Sequence, residues 1–192
     1  MGKKVGLTLD DVVGVAATIA DRDGLEAMSL RAVADALGIK TPSLYNHVAG
    51  LAGLRRELAV HAARELGEVF AAAATSGSPA EIIRRSAVDY RRFALDHPGL
   101  YQAMLPAPKP GEDDELYTMM AEPVRILAAT LTGAGVDEER TVHLIRALRS
   151  VVHGFVDLEM KGGFGMPENI EESFGQSIEV VISGVLAAGV RS

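Results

Sequence analysis

The sequence predicts an all-α fold of about nine helices, in which a small N-terminal three-helix unit precedes a larger helical body. Three observations carry that expectation. Apolar residues recur at i, i+3, i+4 and i+7 along nearly all of the 192 residues, and no stretch alternates with a period of two. Ser, Thr or Asp stands just ahead of several of these apolar runs, where its side chain can cap a helix. Gly and Pro fall mainly in the gaps, as they do where helices end. With 48% hydrophobic and 23% charged residues, the chain can bury a substantial core and is not disordered. No repeat of fixed period is present.

The first helix is expected from Thr8 to about Asp23-Gly24, with Leu9, Val12, Val13, Ala16, Ile19 and Ala20 on one face. Ser29 caps the second, whose Leu30, Val33, Ala34 and Leu37 follow the helical pattern, and Gly38 ends it in a left-handed conformation. Thr41 is expected to cap the third, with Pro42 in its first position, where a missing N–H is harmless. Leu44 and Val48 point back to the core. A long connecting helix follows from roughly Gly50 to Ala74, and "TSGSP" breaks it. Ser78-Pro79-Ala80-Glu81 has the form of a capping box and opens a helix through about Asp96. His97-Pro98 introduces a short helix. Pro106, Pro108, Pro110 and Gly111 mark a surface loop, and the acidic run Glu112 to Glu115 suits the start of the next helix. That helix reaches about Leu131, with Pro123 expected to kink or break it. Asp137 opens a helix to about Lys161, "GGFGMP" reads as a flexible link, and the last helix runs from Glu168 to about Gly189.

Within this order, Met28 to Val48 carries the chemistry. A helix, a glycine turn and a second helix with Tyr45, Asn46 and His47 on its exposed side form the pattern of a helix-turn-helix that enters a DNA major groove. Small residues at the tip (Thr41, Pro42, Ser43) let the backbone come close to base edges. The hydroxyls of Thr41 and Ser43 can reach bases or phosphates, and the Pro42 ring can rest on a thymine methyl. Tyr45 and His47 flank the helix, each able to reach a phosphate strand, and Lys40 adds a positive contact. Ser29 and Arg31 near the second helix N-terminus, and Arg55 and Arg56 near the fourth, are further phosphate candidates. On spacing alone the same residues also fit ordinary helix packing, with Tyr45 half-buried, so both readings stand.

Charge and composition exclude several other classes. The net charge is −7, but up to Arg56 seven Lys/Arg face six Asp/Glu, so the acidic excess lies beyond the helix-turn-helix. There is no cysteine, which excludes disulfides and thiolate metal sites and makes a reducing cytoplasm the expected compartment. No leader-like apolar run opens the sequence, and charged residues or His interrupt every candidate membrane span, so no membrane association is expected. The five histidines include no pair at metal-binding spacing; His143 and His153 are about 15 Å apart along a helix. No phosphate-binding, dinucleotide or nucleophile motif is present. Neither a cofactor nor an enzyme activity is expected.

The stretch "TLDDVVGVAATIADRDGLEAMSLRAVADALGIKTPSLYNHVAGLAGLRREL" strongly resembles the N-terminal domain of the TetR family of bacterial transcriptional repressors. The shared features are the Gly24 break, "SLRAVADALGI", and "SLYNHV" ahead of a long helix. Ser150 to Glu159 resembles the WHG-type C-terminal domain of some members, although His153 follows Val152 where that name implies Trp. The resemblance implies a DNA-binding domain over residues 5–65 and a ligand-binding and dimerisation domain over 66–192. It implies a homodimer built on the last two long helices, an effector pocket in each body and a palindromic double-stranded DNA operator. The recognition role falls on Lys40 through His47, with Tyr45 and His47 on phosphates. Many members carry an aromatic residue at the position of Val48 and a charge within "AGLAGL"; both are apolar here. Tyr90, Phe93, Tyr101, Met104, Met120, Arg149 and His153 are the candidates to line the effector site, Arg149 and His153 as polar anchors. Core filling is the alternative for each. The expected function is a homodimeric repressor released by a small, apolar effector. The alternative is a helical ligand-binding or interaction protein that has lost DNA binding.

Overall fold

The computed structural model describes residues 6–106, 108–109 and 111–187, and every regular element among them is helical. The elements are α1 (Leu9–Asp23), α2 (Leu30–Leu37), α3 (Thr41–Leu44), α4 (Gly50–Ala73), α5 (Pro79–Asp96), α6 (Pro98–Met104), α7 (Asp114–Gly133), α8 (Glu138–Met160) and α9 (Ile170–Ala187). The expected end of the last helix near Gly189, and the outer limits of the expected domains at residues 5 and 192, lie outside the described residues.

Local chemistry sets most of the boundaries. Thr8 caps α1 through a complete capping box: its hydroxyl accepts from the Asp11 N–H at 3.2 Å, and the Asp11 carboxylate accepts from the Thr8 N–H at 2.8 Å. Ser29 accepts from the Ala32 N–H at 3.2 Å and caps α2. Gly38, at φ +66°, lets its own N–H reach the Asp35 carbonyl while the Ile39 N–H reaches Ala34, which ties off the end of α2. Ser78 and Glu81 form the box expected at α5. One expectation changes. The cap of α3 is Lys40 rather than Thr41, with no side-chain hydrogen bond, because Thr41 already lies inside the first turn. The helix expected to reach about Leu131 runs through Pro123 to Gly133 without a break, and the carbonyl that lacks a Pro123 N–H is that of Met119.

The chain forms two units. The first comprises residues up to Glu65 together with Asp96–Met119; the second comprises Leu66–Leu95 and Met120 onward. α4 and α7 therefore each contribute residues to both.

The first unit has its core where α1 (Val12, Ala16, Ala20), α2 (Val33, Ala34) and α4 (Leu54, Leu58) meet Leu44 and Val48. It also contains α6, which a division of the chain at residue 65 assigns to the body. The physical reason is a close backbone contact. A Cβ on Gly99 would lie 2.2 Å from the Ala20 carbonyl carbon, so only glycine lets α6 sit on α1. The Asp21 carboxylate then accepts the Gly99 and Leu100 N–H groups at 2.8 and 3.1 Å and meets His97 Nδ1 at 3.0 Å, satisfying the free donors that begin α6.

In the second unit, α8 and α9 pack as a hairpin, with Val152, Val156, Phe174 and Ile178 buried. The first residues of the loop between them make contacts back to α8. Gly162 at φ +66° closes the end of α8, with the Gly163 N–H bonded to the Leu158 carbonyl at 2.7 Å. Phe164 then stacks on Phe155 with ring centres 4.6 Å apart.

Candidate nucleic-acid interface

α3 is a single turn. Beyond Leu44 the bonds shift to i,i−3 spacing, from Tyr45 to Pro42 at 3.3 Å and from Asn46 to Ser43 at 3.4 Å, before Val48 returns to an i,i−4 bond with Leu44 at 2.9 Å. The stretch Lys40 to His47, expected as one recognition helix, is thus a helical turn continued by tighter turns. Two buried anchors fix it: Leu44 is wholly inside and Val48 nearly so. The residues between them must then face outward. Lys40, Pro42, Ser43 and Asn46 are exposed, Tyr45 is 62% exposed, and Thr41 and His47 are half-buried. A large aromatic ring held in water on a short ridge of polar and small residues has the shape to enter a groove.

The structure brings Lys40, Thr41, Pro42, Ser43, Tyr45, Asn46 and His47 onto that ridge and treats the other candidates differently. Ser29 uses a lone pair to cap α2 and keeps its O–H to donate. Arg31 is largely exposed, with only a loose 3.7 Å contact to Asp35. Arg55 pairs with Glu26 at 3.2 Å. Arg56 is engaged within the fold. Its guanidinium makes hydrogen bonds to Asp113, to Glu115 at 2.8 Å and to Glu57 at 2.7 Å. The Asp113 bond, then that to Glu115, hold the guanidinium in its charged form far more firmly than usual. The same guanidinium holds the Asp113 carboxyl below the ordinary carboxylate range. An arginine surrounded by three carboxylates ties α4 to the start of α7, and it could meet a phosphate only in exchange for one of these bonds. Near the ridge, Asp11 is also held below its usual range, chiefly by the Thr8 hydroxyl and N–H, with a smaller contribution from the charge of His47.

The expected effector residues are divided between the units. Tyr101 and Met104 are buried on α6 in the first unit, where they fill its core. Tyr90 and Phe93 are buried on α5 in the second unit, Tyr90 with its ring edge-on to Phe70. Met120 and His153 are half-buried, and Arg149 is exposed on α8. Sequence reasoning passed over Ser86. Its hydroxyl is buried on the same α5 face as Tyr90 and, among the described residues, has no hydrogen-bond partner. A lone hydroxyl in the stripe Ile83, Ala87, Tyr90, Ala94 was the available signal. Among the described residues no cluster of His, Asp or Glu fits a metal ion, and no helix is long and apolar enough to cross a membrane.

Residues 83–181 match the family described as Tetracyclin repressor-like, C-terminal domain. Over 187 residues, covering 97% of this chain and 96% of the relative, the sequence is 35% identical to the uncharacterized HTH-type transcriptional regulator YobS of Bacillus subtilis. It is 32% identical to an uncharacterized HTH-type transcriptional regulator of Mycobacterium tuberculosis over 81% of this chain and 72% of that one. In fold it is similar to a single-substitution variant of TetR from Acinetobacter baumannii, solved in complex with minocycline. The TM-score is 0.75 at 17% identity, covering 97% of this chain and 100% of that one.

Proposed function

The chain belongs to the TetR family of transcriptional regulators, DNA-binding proteins and not enzymes, and from that premise we propose that it is a cytoplasmic, homodimeric repressor released from a palindromic operator by a small, apolar effector. The observation that carries the DNA-reading part is the ridge of exposed residues from Lys40 to Asn46, with Tyr45 62% exposed between the buried anchors Leu44 and Val48. Thr41, Pro42 and Ser43 meet base edges, and Lys40, Tyr45 and His47 hold phosphates. Two protomers place their ridges in successive major grooves about 34–36 Å apart.

The dimer reading is supported by α8. Leu144, Ala147, Val151, Gly154 and Leu158 recur at spacings of three and four and are half-buried or exposed, Leu158 by 48%. On α9, Ser177, Val180, Gly184 and Ala187 form a similar stripe, with Val180 73% exposed. A second copy of the hairpin covers both stripes as a four-helix bundle. The effector reading rests on the buried α5 face, where the Ser86 hydroxyl, without a partner among the described residues, lies among apolar and aromatic side chains, an arrangement suited to an apolar molecule with one hydrogen-bonding group. The bound minocycline in the Acinetobacter relative supports a small-molecule effector. Such a molecule acts by binding one conformation better than the other. α4, with residues in both units, is the proposed lever.

The test is binding of the full-length protein to DNA from its own promoter region. Tyr45→Ala and His47→Ala should each weaken binding by about tenfold, a loss of roughly 1.4 kcal/mol, and Arg56→Gln should change it mainly through stability. Affinity should fall steeply with salt as phosphate contacts displace counterions. A flat salt response with no footprint would instead favour a ligand-binding protein without DNA activity, a reading that Arg56, held among carboxylates, motivates.

A further inference from the structure

We propose that Arg91 is the positioning residue of the dimer surface: by holding the facing ends of α8 and α9 together it sets the spacing at which their two stripes present one face to the second copy. The proposal rests on the α8–α9 dimer described above.

Arg91 sits on α5 and is only 9% exposed. Its Nε and Nη2 donate to the two carboxylate oxygens of Glu159, both at 2.7 Å, and its Nη1 donates to Glu171. Glu159 is the penultimate residue of α8 and Glu171 the second of α9. One guanidinium therefore spans the mouth of the hairpin, on either side of the loop 161–169. The planar fork fixes direction as well as distance, which a point charge on a flexible stem does not. Below it, the Phe174 ring centre lies 5.0 Å from the guanidinium carbon, and Phe174 contacts Phe155 at 5.1 Å, so the fork is held from the apolar side as well.

Stability alone gives little reason for this arrangement. Taking an arginine and a glutamate out of water costs about as much as their attraction returns, and apolar residues of similar volume often pack as well. What an ion pair adds is a unique setting. The setting matters here because small residues interrupt the stripes beside it, Ala147 and Gly154 on α8 and Ser177 and Gly184 on α9. Small residues bring helices close, and a close contact is lost when one helix rotates against its neighbour. A second tie runs the same way. Arg84, two turns before Arg91 on α5, pairs with Glu179, eight residues beyond Glu171 on α9, so α5 and α9 are bonded antiparallel at two levels. That outer pair is exposed at both ends and contributes little; Arg91 is buried and Glu159 largely so, and the register is held where this inner pair reaches out to the exposed Glu171.

Sedimentation equilibrium of the full-length protein, with helix content and melting followed by circular dichroism, tests this. Replacing the buried pair by apolar residues in the Arg91→Met/Glu159→Leu double variant should keep helix content and a cooperative melt but raise the dimer dissociation constant by about tenfold or more. Arg91→Lys keeps the charge but loses the fork, and should also weaken the dimer while melting as the wild type does. If the double variant fails to fold, Arg91→Lys alone decides. A wild-type dissociation constant in either folded variant overturns the proposal. A wild-type protein that is monomeric at micromolar concentration overturns the dimer reading itself, and this inference with it.

Discussion

Gly99 is the position where a single atom decides the most. It begins the buried face of α6, and a methyl group there would lie 2.2–2.6 Å from the carbonyl carbon, carbonyl oxygen and Cβ of Ala20. Two of those atoms are backbone, so nothing can swing aside; α6 must lift from α1 and from the Asp21 carboxylate that accepts its first N–H groups. Gly99→Ala should therefore cost roughly 3 kcal/mol, the upper range for overpacking, and lower the Tm by roughly 6–12 °C. A thermal melt checks this, and a Tm within a degree of the wild type would refute it. Nothing in the sequence marks this glycine, since "HPGL" reads as a helix start with or without a neighbour. Arg56 was illegible for the same reason: its Asp113 and Glu115 partners lie 57 and 59 positions away. Tyr45 was legible because its neighbours Leu44 and Val48 sit at the spacing that turns them inward and leaves Tyr45 outside.

Among the elements, the caps were readable and the lengths less so. Ser29 and Ser78 cap their helices as their positions imply, because a cap is closed by residues within one turn, while Thr8, expected as the first helical residue, is itself the cap of α1. The shortness of α3 was hidden: the apolar pattern of Leu44 and Val48 is the same whether the residues between are α-helical or tighter. The start of α7 illustrates how a cap joins a longer-range tie. Asp113 accepts the Leu116 N–H at 3.1 Å and also the Arg56 guanidinium, which lowers its affinity for a proton in the fold. An unfolded chain binds that proton at the ordinary value of 3.8, so stability from this group is complete above that value and is lost as the pH falls through the depressed one. The Tm difference between wild type and Asp113→Asn should accordingly stay constant from about pH 5 to 8 and close below about pH 4. A gap that persists into acid would show that the carboxylate charge is not what matters.

At the scale of the whole molecule, the proposed dimer joins two properties that one chain holds apart. The reading ridge is sparsely charged: Arg31 makes only a loose pair with Asp35, Lys40 is exposed, and Arg56 is held among carboxylates. One ridge alone binds weakly, so affinity should come from placing two at once. Val151→Glu, which puts a charge in the middle of the α8 stripe, should yield monomers and reduce binding to promoter DNA by about a hundredfold or more through lost bivalency. Sedimentation and gel-shift measurements on the same preparation check both halves; a monomer with undiminished affinity would break the link. The expected effector set illustrates the limit of reading positions along a chain. Tyr101 and Met104 join the first unit and Tyr90 and Phe93 the second, although all four lie within fifteen consecutive residues.

The sequence by itself determined the all-helical class, the order of the helices, most of their caps and the outward set of the ridge from Lys40 to His47. All of these depend on residues a few positions apart, and spacing records them. Only the tertiary structure decided that α6 belongs with α1, that Arg56 is ringed by three carboxylates, that the α8–α9 loop packs back on α8, and that Ser86 lies buried with no partner among the described residues. Each of these turns on atoms brought together from distant parts of the chain, through one missing Cβ, a guanidinium among carboxylates or a stacked pair of rings, and no local pattern encodes such meetings.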